Sequence, residues 1–179
     1  MLLTACTARE PAGPRAVDTR AAARLERGRY LTENVMLCFT CHSEVDWKAA
    51  GIPVVPGTKG SGGPFPETSL PFPLNAPNIT PDPETGAGRW TDQQFARAIR
   101  EGIGHDDRVL FPGMPFPFFH TLSDDDLAAV IAYLRLLPPV RKQVAKTPLP
   151  PELQKALQPM PVTGKVPTPD FSDPVKRGA

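Results

Sequence analysis

Two cysteines and a histidine near residue 40 carry the strongest chemical signal in the chain. Cys38 and Cys41 are separated by two residues, and His42 follows directly. Two thiols at this spacing can add across the two vinyl groups of one porphyrin, and the adjacent imidazole then reaches the iron as an axial ligand. The Cys-x-x-Cys-His pattern is therefore interpreted as the attachment site of one covalently bound haem.

Other chemistries also use paired cysteines. A thiol redox motif belongs on a thioredoxin-like strand–loop–helix unit, and no strand pattern precedes Cys38. A structural zinc ion needs a second pair of ligands, and no further cysteine lies nearby. A chance arrangement of the three residues is expected in roughly a few per cent of chains of this length. The elements that surround the motif favour haem attachment over these alternatives.

A methionine in a loop between two predicted helices is the candidate for the second iron ligand. Met114 lies among prolines and phenylalanines within residues 104–120. The prolines restrict the backbone, and the aromatic rings would exclude water. Thioether ligation in a dry pocket raises the reduction potential of haem. We predict Met114 as the distal ligand opposite His42, and we expect His105 and His120 to face solvent or to cap helices.

Three helices are predicted to position these ligands. The first runs from residue 18 or 19 to about residue 37, with Asp18 as its cap. The second begins at a capping box formed by Thr91 and Gln94 and stops at Gly102. The third begins at Ser123, and two consecutive prolines end it.

Composition predicts long loops and a nearly neutral surface. Proline accounts for 24 of the 179 residues, far above its average share of about 5%. Residues 44–75 show no helical period and are predicted to form a loop with at most a short hairpin, packed over something apolar. Lys and Arg total 20 and Asp and Glu total 19, so no charge excess indicates nucleic-acid binding. No apolar stretch reaches the ~20 residues of a membrane span.

The chain is predicted to form one domain with a tail at each end. Residues 1–17 are interpreted as a tether, residues 18–140 as the haem-binding domain, and residues 141–179 as a proline-rich tail that is extended, wrapped on the domain or partner-binding. The sequence LTAC at residues 3–6 resembles the lipobox of bacterial lipoproteins, which predicts lipidation of Cys6. The alternative is that Cys6 is an incidental free thiol.

The order helix, Cys-x-x-Cys-His, loop, helix, methionine loop, helix resembles the class I c-type cytochromes. More narrowly, it is similar to bacterial mono- and dihaem cytochromes that are subunits of membrane dehydrogenases. The match covers about residues 20–140, and this chain has one haem motif where many relatives have two or three. Besides that motif, the shared residues are GRYL at 28–31, NITPD at 78–82, GRWTD at 88–92, FPGMP at 111–115, LSD at 122–124 and YL at 133–134.

The resemblance implies an all-α cytochrome c fold of about three to four helices around one haem c. A small residue on the first helix of this family lets an aromatic residue of the last helix pack across it, so Gly28 would face Tyr133. A tolerated surface glycine is the alternative. The iron-binding and haem-binding residues implied by position are the thioether-forming Cys38 and Cys41 and the axial ligands His42 and Met114.

Three further residues are candidate contacts to the haem pocket or to the haem propionates. Asn78 belongs to the shared NITPD motif, and Trp90 could donate its indole N–H. For Trp90 the alternative is a hydrophobic staple with Phe95. Arg108 could pair with a propionate, and a solvated side chain is its alternative.

Two strong axial ligands leave no open position on the iron, which predicts one-electron transfer in place of substrate chemistry. The expected setting is the periplasm or its membrane face, because haem of this kind is attached outside the cytoplasm. A dehydrogenase would donate electrons, and an oxidase or another cytochrome of a respiratory chain would accept them. The alternatives are a catalytic haem that oxidises a sulfur compound or peroxide after Met114 leaves, and a sensor or structural subunit.

Overall fold

The computed structural model describes residues 18–65, 69–170 and 172. Residues 1–17, which include the predicted lipidation site Cys6 and the predicted tether, lie outside the described residues. Two π-helical turns, Leu31–Val35 and Arg97–Glu101, extend the first and third helices. The helices are α1 (Thr19–Tyr30), α2 (Cys38–Cys41), α3 (Asp92–Ala96), α4 (Phe116–Phe119), α5 (Asp124–Leu134) and α6 (Pro151–Ala156).

The long loop between α2 and α3 contains the only regular strands among the described residues. Strands β1 (Gly63–Pro64) and β2 (Asn75–Ala76) pair antiparallel, with Gly63 opposite Ala76. This pair is the short hairpin that the sequence allowed. The predominantly helical class is confirmed, and the predicted helices correspond to α1, α3 and α5. The short helices α2 and α4 were not predicted, because four residues are too few to show a helical period.

Helix α1 begins where its cap residue predicted. The Asp18 carboxylate accepts hydrogen bonds from the backbone N–H groups of Arg20 at 3.1 Å and Ala21 at 3.2 Å. At the other end, Leu37 takes a left-handed conformation with φ of 51°. This turn ends the helical run and lets the chain start α2 at Cys38.

Helices α1 and α5 cross at Gly28, and this contact is the centre of the helical packing. A Cβ atom at Gly28 would lie 2.0 Å from the carbonyl oxygen of Ala129 and 2.9 Å from Cβ of Tyr133. The predicted packing across Gly28 is therefore confirmed, and the glycine is needed because two backbones meet there. Core side chains around this crossing are Leu31, Phe39, Ile79, Phe95, Ile99, Leu127, Val130, Ile131, Leu134 and Leu137.

Helix α3 has the predicted capping box and the predicted stop. The Thr91 hydroxyl accepts from the Gln94 N–H at 3.1 Å, and the Gln94 side chain accepts from the Thr91 N–H at 2.9 Å. Gly102 ends the π-helical turn with φ of 69°. A Cβ at Gly102 would lie 2.6 Å from the Phe116 ring, so the glycine also brings α4 close to the end of α3.

Helix α5 begins at its predicted cap and is joined to α3 by a buried arginine. The Ser123 hydroxyl accepts from the Asp126 N–H at 3.1 Å. Arg100, which is only 9% exposed, donates from Nη1 to the Asp124 carboxylate at 2.8 Å and to the Leu122 carbonyl at 3.0 Å. These bonds fix the start of α5 against the end of α3.

The ion pair at the start of α5 predicts acid sensitivity. The hydrogen bond from Arg100 holds the pKa of Asp124 below its ordinary value of 3.8. Because the folded pKa lies below the unfolded one, this carboxylate stabilises the fold fully above the unfolded value and loses that contribution as the pH falls through the folded value. We expect Asp124→Asn to flatten the fall of the melting temperature below about pH 4. Identical pH profiles for the variant and the unsubstituted protein would contradict this.

The tail after α5 lies on the domain, which was one of its predicted alternatives. The Met160 N–H donates to the Glu101 carbonyl at 2.9 Å, and the Asp124 N–H donates to the Val166 carbonyl at 2.9 Å. Helix α6 forms within it. Within the residues that the structure describes, no helix is both long enough and apolar enough to cross a membrane.

Candidate functional site

A largely apolar cleft lies between α2 and the loop that leads to α4. Its volume is about 1330 Å³, which includes space that is open to solvent. The four residues predicted to hold the haem and its iron all line this cleft, namely Cys38, Cys41, His42 and Met114. The cleft therefore joins residues that are far apart in the sequence.

The two cysteines of the motif are free and partly buried at the edge of α2. Burial raises the pKa of the Cys38 thiol to about 12, and burial also raises the pKa of Cys41. A thiol that takes part in disulfide exchange needs a lowered pKa. The surroundings therefore argue against the thioredoxin-like interpretation of the motif.

The imidazole of His42 is oriented by a single backbone group. Its Nδ1 lies 2.8 Å from the Pro77 carbonyl oxygen. Because a carbonyl oxygen can only accept, Nδ1 carries the proton and Nε2 keeps its lone pair. Burial lowers the pKa of His42, while the Pro77 carbonyl acts in the opposite direction. The ring is thus neutral and has one nitrogen available for a metal, as axial ligation requires.

A short network of backbone bonds holds the Met114 loop. The Met114 N–H donates to the Phe111 carbonyl at 3.0 Å, and the Phe116 N–H donates to the Met114 carbonyl at 2.7 Å. The Phe111 ring packs edge-on against Phe72 with 5.5 Å between ring centroids. The thioether is partly buried against the core. The loop therefore presents Met114 to the cleft in a defined, mostly apolar setting.

A polar cluster behind α2 fixes the aromatic residue inside the motif. Lys59 Nζ lies 4.7 Å from the centre of the Phe39 ring and 2.5 Å from Glu33 Oε1. Tyr133 donates a short hydrogen bond to the same carboxylate oxygen. Burial opposes ionisation of Glu33, but the hydrogen bonds from Lys59 and Tyr133 lower its pKa overall. The charged cluster thus connects α2 to α1 and α5.

Trp90 lines the cleft between two ring neighbours. It stacks on His105 at 4.4 Å with 19° between the ring planes, and its centroid lies 5.3 Å from that of Phe95. The contact with Phe95 is the staple considered as an alternative for Trp90. His105 is exposed, as expected, but it also lines the cleft and stacks on Trp90, which the sequence did not indicate. His120 bonds through Nδ1 to the Arg100 carbonyl at 3.1 Å, away from the cleft lining.

Arg108 lines the cleft, whereas Asn78 does not. The buried Nε of Arg108 has no hydrogen-bond partner among the described residues, and its nearest carboxylate oxygen, Asp106 Oδ1, is 3.4 Å away. Asn78 instead accepts from the Thr80 N–H at 3.0 Å and donates to the Val140 carbonyl at 2.8 Å. The amide of Asn78 thus holds the chain after α5 and does not face the cleft.

The lining of the cleft fits a covalently bound haem in its chemistry. Two thiols and an oriented, neutral imidazole lie on the α2 side, and a thioether lies in the facing loop. Apolar and aromatic side chains make up most of the remaining lining. The Nε of Arg108 makes no hydrogen bond among the described residues, and the charge of this guanidinium suits an anionic group such as a haem propionate.

Sequence reasoning missed the part of the lining that comes from the tail. Thr147 and Leu149 belong to the C-terminal tail and reach the cleft from outside the predicted domain. The only signal available in the sequence was a weak one, since the tail alternates between prolines and isolated apolar residues. Such a pattern does not reveal which surface the tail covers.

Comparison with known proteins agrees with the geometry of the cleft. The sequence profile of the family described as Cytochrome c matches residues 25–138. The chain belongs to the cytochrome c family. The predicted cytochrome c fold and the predicted covalent haem c are therefore confirmed, and Cys38, Cys41 and His42 fit the attachment motif of the family.

The cytochrome is similar to parts of longer proteins. It is 41% identical over 134 residues to one of the subunits of nicotinate dehydrogenase from Pseudomonas putida, which covers 74% of this chain and 10% of that protein. It is 36% identical over 112 residues to the cytochrome c subunit of the quinone alcohol dehydrogenase of Gluconobacter oxydans, which covers 62% of this chain and 21% of that protein. The gluconate 2-dehydrogenase cytochrome c subunit of Pantoea cypripedii is 32% identical over 116 residues, which covers 65% of this chain and 24% of that protein. The cytochrome thus spans about a tenth to a quarter of the length of these relatives.

Proposed function

We propose that this cytochrome carries single electrons through one haem c in a bacterial electron-transport chain outside the cytoplasm. Cys38 and Cys41 would form the thioether links, and His42 and Met114 would be the axial ligands of the iron. The observation that carries the proposal is that one apolar cleft joins the attachment thiols, an imidazole whose Nδ1 is already engaged, and a thioether.

The residues of the cleft suit electron transfer better than substrate chemistry. When bound, haem c supplies a reversible one-electron change at its iron. Pro77 keeps the ring of His42 in one tautomer and one orientation, and Met114 offers a soft, uncharged sulfur. Histidine–methionine ligation raises the reduction potential. The apolar lining keeps water from this pair of ligands.

Support for a dehydrogenase as the electron donor comes from the names of the relatives. Two of them are cytochrome c subunits of an alcohol dehydrogenase and a gluconate dehydrogenase, and a third belongs to a nicotinate dehydrogenase. An oxidase or another cytochrome would accept the electrons. The proposal includes a periplasmic location, because haem of this kind is attached outside the cytoplasm, and the lipobox-like residues 3–6 support attachment to a membrane through a lipid on Cys6. The mass of the native N-terminal peptide tests that lipid.

Covalent attachment of haem at the motif tests the basis of the proposal. After production in a host that matures c-type cytochromes, the denatured protein should keep one haem, seen as added mass and as haem absorbance on the denatured chain. Replacing both Cys38 and Cys41 by alanine should release the haem on denaturation, because no thioether remains. Cys6→Ala removes a cysteine outside the motif and should leave haem attachment unchanged.

Two results would count against the proposal. Haem that stays with the chain in the double variant would show that the links lie elsewhere. Rapid binding of carbon monoxide or cyanide to the unsubstituted protein would indicate an open position on the iron. That result would favour a catalytic haem over an electron carrier.

A further inference from the structure

An extended segment of the tail, residues 142–149 and here called the strap, contributes to the lining of the cleft. It lies beyond residues 25–138, the part that matches the family. Two of its residues, Thr147 and Leu149, nevertheless line the cleft together with His42 and Met114. The strap therefore adds a wall that the matched segment alone does not supply.

One anchor of the strap is on the side of the cleft that supports His42. The Thr147 hydroxyl accepts from the Asn75 N–H at 3.0 Å and donates to the Asn75 carbonyl at 3.2 Å. Asn75 lies in β2, two positions before Pro77, whose carbonyl orients the His42 ring. Thr147 thus completes the backbone bonding of the strand that leads to the carbonyl of Pro77.

The first residue of the strap is anchored to the loop between α2 and α3. Lys142 donates from Nζ to the Gly62 carbonyl at 2.6 Å and to the Glu44 carboxylate at 2.6 Å. Its backbone N–H donates to the Thr85 hydroxyl at 2.9 Å, and its carbonyl accepts from Asn78 at 3.2 Å. Side chains from separate parts of this loop therefore meet on one residue of the strap.

Another anchor is on the side of the cleft that carries Met114. Lys146 Nζ lies 2.5 Å from Asp106 Oδ2. Asp106 belongs to the chain between α3 and Met114, and its other oxygen faces Arg108 in the cleft wall at 3.4 Å. Adjacent strap residues therefore contact both sides of the cleft. Thr147 bonds to Asn75 on the side of His42, and Lys146 pairs with Asp106 on the side of Met114.

We propose that the strap is the outer wall of the haem cleft. It fixes the strand that leads to Pro77, whose carbonyl orients His42, relative to the loop that carries Met114. This inference rests on the proposed ligation by His42 and Met114. Thr147 is a positioning residue, because it acts through Asn75 and the neighbouring backbone and not on the iron. A closed wall keeps water from the haem, and lower solvent access favours the reduced state.

The test substitutes Thr147 in the haem-loaded protein. Thr147→Val keeps the shape of the side chain but removes both bonds to Asn75. Amide hydrogen exchange at Asn75 should then become roughly fivefold faster, the factor expected for one net hydrogen bond. Binding of added imidazole to the oxidised protein should be faster, and the reduction potential should fall. Thr147→Ser keeps the hydroxyl and should restore all three properties towards those of the unsubstituted protein.

Thr163, an exposed threonine farther along the same tail, supplies the matched control. Thr163→Val should leave exchange at Asn75, imidazole binding and potential unchanged. Suppose that the unsubstituted protein shows methionine ligation in its spectrum, but Thr147→Val leaves exchange, imidazole binding and potential as unchanged as Thr163→Val does. The strap is then not a wall of the cleft, and the proposed function stands. If the unsubstituted protein shows no methionine ligation, the proposed function fails, and this inference fails with it.

Discussion

Alanine at position 114 is expected to change the haem more than any other single substitution. Met114→Ala removes the thioether from the cleft and, with the proposed ligation, would leave one face of the iron without a protein ligand. The reduction potential should fall by on the order of 0.1 V or more, within the ~0.8 V range that axial ligands control. The weak red absorption band of methionine–iron ligation should disappear. Added imidazole or cyanide should then bind rapidly.

Met160 provides the control for this substitution. It is a partly exposed methionine of the tail, 36% exposed, and it contacts the domain through a backbone N–H that alanine keeps. Met160→Ala should leave the potential and the spectrum unchanged. An unaltered spectrum and potential in Met114→Ala would show that Met114 is not the distal ligand. Redox titration and absorption spectra of the two variants decide the matter.

The second large effect is expected on stability, at the crossing of α1 and α5. Helix propensity alone predicts that Gly28→Ala stabilises the protein by about 1 kcal/mol. The crossing predicts the opposite sign, because the added Cβ would lie 2.0 Å from the Ala129 carbonyl oxygen. We expect the free energy of unfolding to fall by about 3 kcal/mol, in the upper part of the range for overpacking. Denaturant unfolding of the haem-loaded protein measures this change.

Two further variants separate the clash from other causes. Arg20→Ala adds an alanine at an exposed position of the same helix and should change the free energy of unfolding by less than about 0.5 kcal/mol. Tyr133→Ala combined with Gly28→Ala should not recover stability, since the nearest atom belongs to the backbone of Ala129. A stabilised Gly28→Ala protein would mean that the helices are farther apart than the structure shows.

Features that depend on neighbouring residues could be predicted from the sequence. Asp18, Thr91 and Ser123 each bond to N–H groups two or three positions away, so their side chains mark helix starts without reference to the rest of the fold. Gly102 needs a left-handed conformation at the end of a helix, which glycine adopts easily. The motif at Cys38 is local for the same reason.

Features that depend on distant partners could not be predicted in this way. The amide of Asn78 bonds to a carbonyl 62 positions away, and the hydroxyl of Thr147 bonds to a backbone 72 positions away. Neither side chain differs in type from the many that face solvent. The π-helical turns after α1 and α3 were also missed, because adding one residue to a turn leaves the apolar pattern of a short helix almost unchanged.

The crossing of α1 and α5 also bears on the order in which the chain acquires its cofactor and its fold. Arg27 and its partner Asp126 are 99 positions apart, and the haem-attachment motif lies between them. A helix of 12 residues is marginal on its own, so we expect α1 to become stable only after α5 has been synthesised and can pack against it. Until then Cys38 and Cys41 are not enclosed by the core. The topology thus leaves an interval in which the thiols are accessible for attachment before the domain closes.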